Sequence, residues 1–354
     1  MKKLVGIFSL FAIILTSCGE DENEPKAGTL TPDEASTQIN VVADQMDSDI
    51  VEMVESEGVQ ALEDFAKLFE DVDSFENSRE EQQNWVKERI SLISHAFVSG
   101  PTARVSDDDF SFDDIKGIWE WNAEKEEFEK SADAEVFTIL FPTEGSSTNN
   151  AELSITKLEF VTITDADEYG EWSYEEPSEI EAYLKVGDIT YINVDVSITW
   201  NEFGVPTKAS ALLDIVPFSF ALAFDDTQAS SASASASISK SNETLMAVAG
   251  TITFASSEKE EVTFVEGFVQ YANLKIAGTV DATFEWSDDE NGAIDDLNDF
   301  VDLEVLIDDE KVGDILFEDD IAYVVYADGT KENLEEILEP ILQSIEDAFD
   351  GFED

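Results

Sequence analysis

From Ile189 to Trp200 the chain runs ITYINVDVSITW: Ile192, Val194, Val196, Ile198 and Trp200 take every second place, with Tyr191, Asn193, Asp195, Ser197 and Thr199 between them. A period of two puts the first set on one face of a pleated strand and the second on the other, so one face is buried and one is wet. The same alternation recurs on both sides, punctuated by short turns. Further strands are expected at 135–141, 151–164, 180–186, 208–216, 218–224, 229–239, 244–254 and 262–286, the last broken near 272–275. Upstream, Trp119 and Trp121 share a face, Asn122 to Lys125 form a turn and Phe128 returns, which reads as a hairpin. Consecutive strands joined by short turns make an antiparallel meander of roughly nine to twelve strands the economical topology over 116–286. Pro217, which has no amide hydrogen, belongs at an edge or a break. The Ser/Ala alternation of 230–239 reads either as a linker or as a strand with a close-packing alanine face; its place inside the sheet region favours the strand.

Helices flank this region. Thr31 stands as an N-cap before Pro32, Asp33 and Glu34, and Ile39, Val42, Met46, Ile50, Met53 and Val54 follow at three- and four-residue steps. Gly58 interrupts; Leu62, Phe65 and Phe69 then mark a second helix, and Ser78 with Glu81 caps a third that carries Trp85, Leu92 and Ala96. Residues 32–98 are thus a helical region and 99–115 an acidic linker. In 287–354, strands at 303–307, 312–317 and 321–326, a turn at 327–330 and an amphipathic helix from Leu334 to Phe349, interrupted by Pro340, are expected to pack on the sheet. The expected class is α+β: N-terminal helices, a large curved antiparallel sheet, with a half-barrel as its closed form, and a C-terminal hairpin and helix.

Of 354 residues, 43% are hydrophobic, enough for a packed core, while 19 Lys and Arg stand against 82 Asp and Glu, a net charge of -63. A polyanion is repelled, which excludes nucleic acid as a partner. One cysteine and one histidine leave no disulfide framework and little for His- or Cys-based metal or acid/base chemistry.

That single cysteine is Cys18. Met1, Lys2 and Lys3 precede an apolar run from Leu4 to Leu15, too short for the ~20 residues of a membrane-spanning helix but of signal-peptide length. Leu15, Thr16, Ser17 and Cys18 resemble the lipobox of bacterial lipoproteins, which implies that 1–17 is cleaved and that Cys18 carries the lipid anchor. Residues 18–31 are an acidic, flexible tether. Gly19 is not the aspartate that retains enteric lipoproteins at the inner membrane, and Glu20, Asp21 and Glu22 resemble the acidic stretch of surface-exported lipoproteins of Bacteroidota. The resemblance implies an outer-membrane address, facing outward in preference to the periplasm. The helical start, the hairpin GIWEWNAEKEEFEK, the meander and the ending YVVYADGTKENLEEILEPILQSIEDAF together resemble uncharacterised Bacteroidota envelope lipoproteins, a likeness that carries no activity.

Calcium is the one cofactor with a sequence candidate. In an EF-hand-like loop with Gly292 at its sixth place, Asp289, Asn291 and Asp295 take liganding positions. Ser287 and Asn298 fail the first and twelfth places, and a solvated acidic loop is the plainer reading. His95, with Glu88 and Ser91, lies on the polar side of its helix and reads as a surface residue; no G-x-S-x-G elbow or phosphate-cradling glycine loop is present. Trp119 and Trp121, with Phe128, Trp172 and Tyr174, read either as a platform for sugar rings or as cross-strand packing, and packing is the commoner use of such pairs. The expected role is a non-enzymatic, lipid-anchored binding or structural module. A carrier of a lipid or other hydrophobic ligand in the sheet's concavity and a surface carbohydrate-binding accessory are the alternatives.

Overall fold

The computed structural model describes residues 30–70, 112–167, 170–283, 297–318 and 321–341. The signal segment, Cys18, nearly all of the tether, the third predicted helix with His95, most of the linker and the calcium candidates Asp289, Asn291 and Asp295 lie outside them.

Among the described residues, three helices, α1 (Pro32–Val54), α2 (Glu57–Glu70) and the short α3 (Phe112–Ile115), precede the strands. These are β1 (Gly117–Asn122), β2 (Glu127–Ala132), β3 (Phe137–Phe141), β4 (Ala151–Asp167), β5 (Gly170–Val186), β6 (Ile189–Trp200), β7 (Pro206–Ile215) and β8 (Phe218–Asp225). They continue with β9 (Ser231–Lys240), β10 (Glu243–Phe254), β11 (Val262–Tyr271), β12 (Leu274–Asp281), β13 (Val301–Ile307), β14 (Glu310–Glu318), β15 (Ile321–Tyr326) and β16 (Lys331–Asn333). A helix opens at 334–341. The fold is mostly one large, open, mixed sheet of sixteen strands with few helices.

Strand order follows chain order except at one end, where β1 lies between β3 and β2. There β1 runs parallel to β3, pairing Gly117 with Phe137 and Glu120 with Leu140, so the sheet is mixed where a purely antiparallel one was expected. It also has more strands than the expected nine to twelve, because β13 pairs directly with β12 and the C-terminal strands extend the sheet instead of packing on it. The Ser/Ala segment is strand β9, with Ala232, Ala234 and Ala236 opposite Ile252, Gly250 and Val248. Pro217 sits in the two-residue break between β7 and β8.

The chain divides into two compact units, Met1–Glu52 with Phe224–Asp354, and Met53–Ala223. In the first, α1 begins at a reciprocal cap: the Thr31 backbone amide and hydroxyl donate to Glu34 Oε2 at 3.0 and 2.8 Å, and the Glu34 amide donates to Thr31 Oγ1 at 3.4 Å. Its buried stripe of Ala35, Ile39, Val42 and Met46 covers Val301, Leu303, Val305, Ile307, Ile315 and Val324 of β13 to β15. Each such large side chain contributes about 1.5–3 kcal/mol by leaving water. Asp49 occupies the same stripe at 6% exposure, and Lys240 at the end of β9 meets it at 2.8 Å and Glu52 at 2.7 Å.

On the face that α1 covers, Gly250, Gly267 and Gly278 stand in cross-strand register on β10, β11 and β12. A Cβ on Gly278 would overlap the carbonyl oxygen of Asp302, and one on Gly267 would lie 2.6 Å from the carbonyl of Ala249. Only glycine permits these close approaches.

In the second unit, α2 starts at Ser56, whose hydroxyl accepts from the Val59 amide at 3.4 Å. Its Ala61 and Phe65 lie on a core built from Phe137, Ile139 and Phe141 of β3, Ile155 of β4, Leu184 of β5 and Ile192 of β6. Phe65 and Phe141 meet with ring centroids 4.8 Å apart. On the opposite face Thr138 and Ser154, both buried, share a 2.9 Å hydrogen bond, so neither hydroxyl is left unsatisfied.

Candidate functional site

The β1–β2 hairpin and the loop after β3 enclose an open cleft of about 830 Å³ in the second unit. Apart from Trp121, Ala123 and Pro142, every residue that lines it is polar.

Each wall is held by its own bonds. Asn122 closes the hairpin turn: its Oδ1 accepts from the amides of Glu124 at 3.0 Å and Lys125 at 3.2 Å, while its Nδ2 donates to Glu129 Oε2 at 2.7 Å. Lys125 donates to the other Glu129 oxygen. The ammonium of Lys125 and then the amide of Asn122 hold the Glu129 carboxyl below the usual carboxylate range, and Glu129 in turn raises Lys125. Lys130, 2.8 Å from Asp133, likewise lowers that carboxyl.

The opposite wall is the 142–150 loop. Asn150 Oδ1 accepts from the Thr143 amide at 2.9 Å, and Ser146 Oγ donates to the Thr148 carbonyl at 2.7 Å. The Glu144 amide donates to Asp64 Oδ2 of α2 at 2.8 Å, which ties the loop to the helix. Asn149 Nδ2 donates to the Trp121 carbonyl at 3.0 Å, joining the two walls. The bond that joins the two walls leaves no sequence signal, because Asn149 is 28 residues from Trp121.

The two predicted tryptophans take different positions. Trp119 donates its ring NH to the Ile115 carbonyl at 3.1 Å and does not line the cleft. Trp121 does line it, half-buried, with Phe128 edge-on at 5.1 Å. Both also pack on the core of this unit. Tyr174 pairs with Ile163, ten places along β4 from Leu153, the residue level with Ile139 and Trp119. At ~3.3 Å per residue it stands about 30 Å from the tryptophans, so these aromatics do not make one platform. The side chain of Trp172 is outside the described set.

Of the calcium-loop residues, Asn298 is described: its Oδ1 accepts from the Phe317 amide at 2.7 Å and its Nδ2 donates to the Phe317 carbonyl at 2.9 Å, so its side chain holds the loop's end against β14. Among the described residues, no three His, Cys, Asp or Glu side chains gather as a metal site, and no helix is long and apolar enough to cross a membrane. No protein-family model matches the chain, and no match is found among curated proteins or solved structures.

Proposed function

We propose that this chain is a lipid-anchored protein of the outer membrane, facing outward, whose body is a non-enzymatic binding module. The address rests on Leu15 to Cys18 and on the acidic residues that follow. The binding role is supported by the open cleft between the β1–β2 hairpin and the 142–150 loop, whose lining is polar apart from Trp121, Ala123 and Pro142. Two measurements test the proposal. Radiolabelled palmitate enters the wild-type chain and not Cys18→Ser, which leaves the envelope fraction; equal fractionation of the two overturns the address. Oligosaccharides incubated with the chain yield no new reducing ends; release that disappears in Glu129→Gln overturns the non-enzymatic reading.

A carrier of a hydrophobic ligand is the second reading, and one observation favours it. Among the described residues, the core under α1 reaches Tyr271 of β11 and Ile276 of β12, but Val265, Val269, Val248 and Ile252 continue the same face without joining it. The glycine register at 250, 267 and 278 supports a bend toward that face, the curvature an α+β half-barrel needs. Lipid co-purifying with the chain in native mass spectrometry supports this reading, and its repeated absence counts against it.

A further inference from the structure

We infer that an apolar groove across β9, β10 and β11, on the face that α1 leaves uncovered, holds one acyl chain of a lipid whose head group is uncharged or zwitterionic. The inference rests on the carrier reading and gives that ligand its site and its chemistry.

One glycine has no structural reason to be glycine. At Gly267 and Gly278 a carbonyl oxygen of the neighbouring strand stands where a side chain would be. Gly250 is in register with Gly267, yet among the described residues a Cβ on it would meet one atom within 4 Å, the Glu266 carbonyl oxygen at 3.4 Å, an ordinary contact. Glycine inside a strand weakens it and often marks a place where something approaches closely. Nothing else in the described chain approaches here.

The register gives the space its shape. On the same face Val248 and Ile252 stand two places to either side of Gly250, and Val269 and Val265 flank Gly267 in step with them. With no side chain between, these walls are about 13 Å apart along the strand, Cα to Cα. The floor crosses the strands from Ala234, opposite Gly250, to Gly267, about 10 Å at the usual strand spacing. Past Gly267 the row is closed, because a Cβ on Gly278 would lie 2.7 Å from Leu303 Cδ2, in the core under α1. The result is a blind groove, one side chain wide and open at the exposed Ala234.

Chemistry and size select the occupant. No wall or floor residue carries a polar side chain, so the occupant is apolar along its buried length. The groove covers on the order of 130 Å², far below the ~800 Å² that each partner gives to a stable protein interface. A second copy is further opposed by the net charge of -63. An extended acyl chain matches the groove in width and asks for no polar partner. The same charge repels a carboxylate at the open end, so the head group is neutral or zwitterionic.

The test is photolabelling of the full chain, reconstituted in phosphatidylcholine vesicles, by a monoacylglycerol with a diazirine in its acyl chain. Peptide mapping by mass spectrometry places the label on 232–236, 248–252 and 265–269, and a fatty acid with the same diazirine labels them less. Gly250→Val fills the groove and lowers labelling at least tenfold with an unchanged melting temperature. Ala234→Leu, at an exposed position, blocks the open end and gives the same loss, so the test stands even if the valine variant does not fold. Label absent from these strands, wild-type labelling of a folded variant, or a preference for the fatty acid overturns the inference. A dimer in sedimentation that either variant abolishes gives the face to a second copy and overturns it too. Lipid that co-purifies in native mass spectrometry while these strands stay unlabelled overturns this site and leaves the carrier reading standing.

Discussion

Asp49 Oδ1 lies 2.8 Å from Lys240 Nζ, a contact that spans 191 residues of sequence and fastens the far end of α1 to the end of β9. Tyr271 adds its hydroxyl at 3.5 Å to the other Asp49 oxygen. A carboxylate this buried is tolerable only with such partners, and removing the cation strands it.

Lys240→Met is therefore expected to destabilise the chain by about 2–4 kcal/mol, toward the low side of a fully buried pair because Lys240 is itself partly exposed. Glu52→Gln, at the exposed arm of the same lysine, costs under about 1 kcal/mol. Urea unfolding of both variants measures the difference; equal losses would contradict the asymmetry.

Three tyrosines contribute to the loss of stability at alkaline pH. Burial, then the Glu332 carboxylate at 2.6 Å, pushes Tyr326 well above its ordinary value; burial and Glu152 raise Tyr183; Glu57 and then burial raise Tyr191. The folded chain thus keeps protons that the unfolded chain releases near pH ~10. Stability from these groups is fully present below that pH and is lost as the pH rises through the raised values. Absorbance titration at alkaline pH should show these tyrosines ionising above the ordinary phenol range, and Tyr326→Phe should flatten the decline.

Gly278→Ala and Gly250→Ala form a controlled pair. The first places a Cβ on the Asp302 carbonyl and against Leu303, and is expected to cost at least about 2 kcal/mol through backbone displacement. The second meets only the Glu266 carbonyl at 3.4 Å and is nearly neutral. Thermal unfolding distinguishes them.

A net charge of -63 on one chain opposes compaction. Raising salt from about 0.01 M to about 1 M shortens the screening length from about 30 Å to about 3 Å, so the melting temperature should rise steadily over that range. A flat or falling profile would show that paired charges outweigh the repulsion.

The strands with strong alternation and sharp turns were legible to within a few residues: 189–200 is β6, and the turn after Asn122 closes β1 and β2. Strand β5 was legible only from Ile180, because its first half, with polar Glu175 and Glu176 and then Pro177, has neither the period nor the propensity of a strand. It is held by β4, whose register shift between Glu159 and Phe160 accommodates Pro177. The parallel β1–β3 pair was hidden for another reason: hydrophobic period tells that a strand exists and not which neighbour it takes. Asp49 gives no such signal, because a carboxylate on an apolar stripe reads as an interruption until its distant lysine is placed. Within the site, Trp121 was visible as an aromatic on a hairpin. Asn149, which brings the second wall to it, carried no pattern.

Because α1 is made before the strands it covers, its apolar stripe has nothing to rest on until Tyr271 and Leu274 have been synthesised, and its cover is completed only with Tyr326. The intervening sheet is different: apart from β3, which lies beside β1 and not beside β2, every strand is laid beside the one that preceded it, so most of it can grow one hairpin at a time. Assembly therefore ends where translation began, and a chain cut short before its last third is left with a sticky, orphaned helix at its front, the species most exposed to aggregation and to proteases.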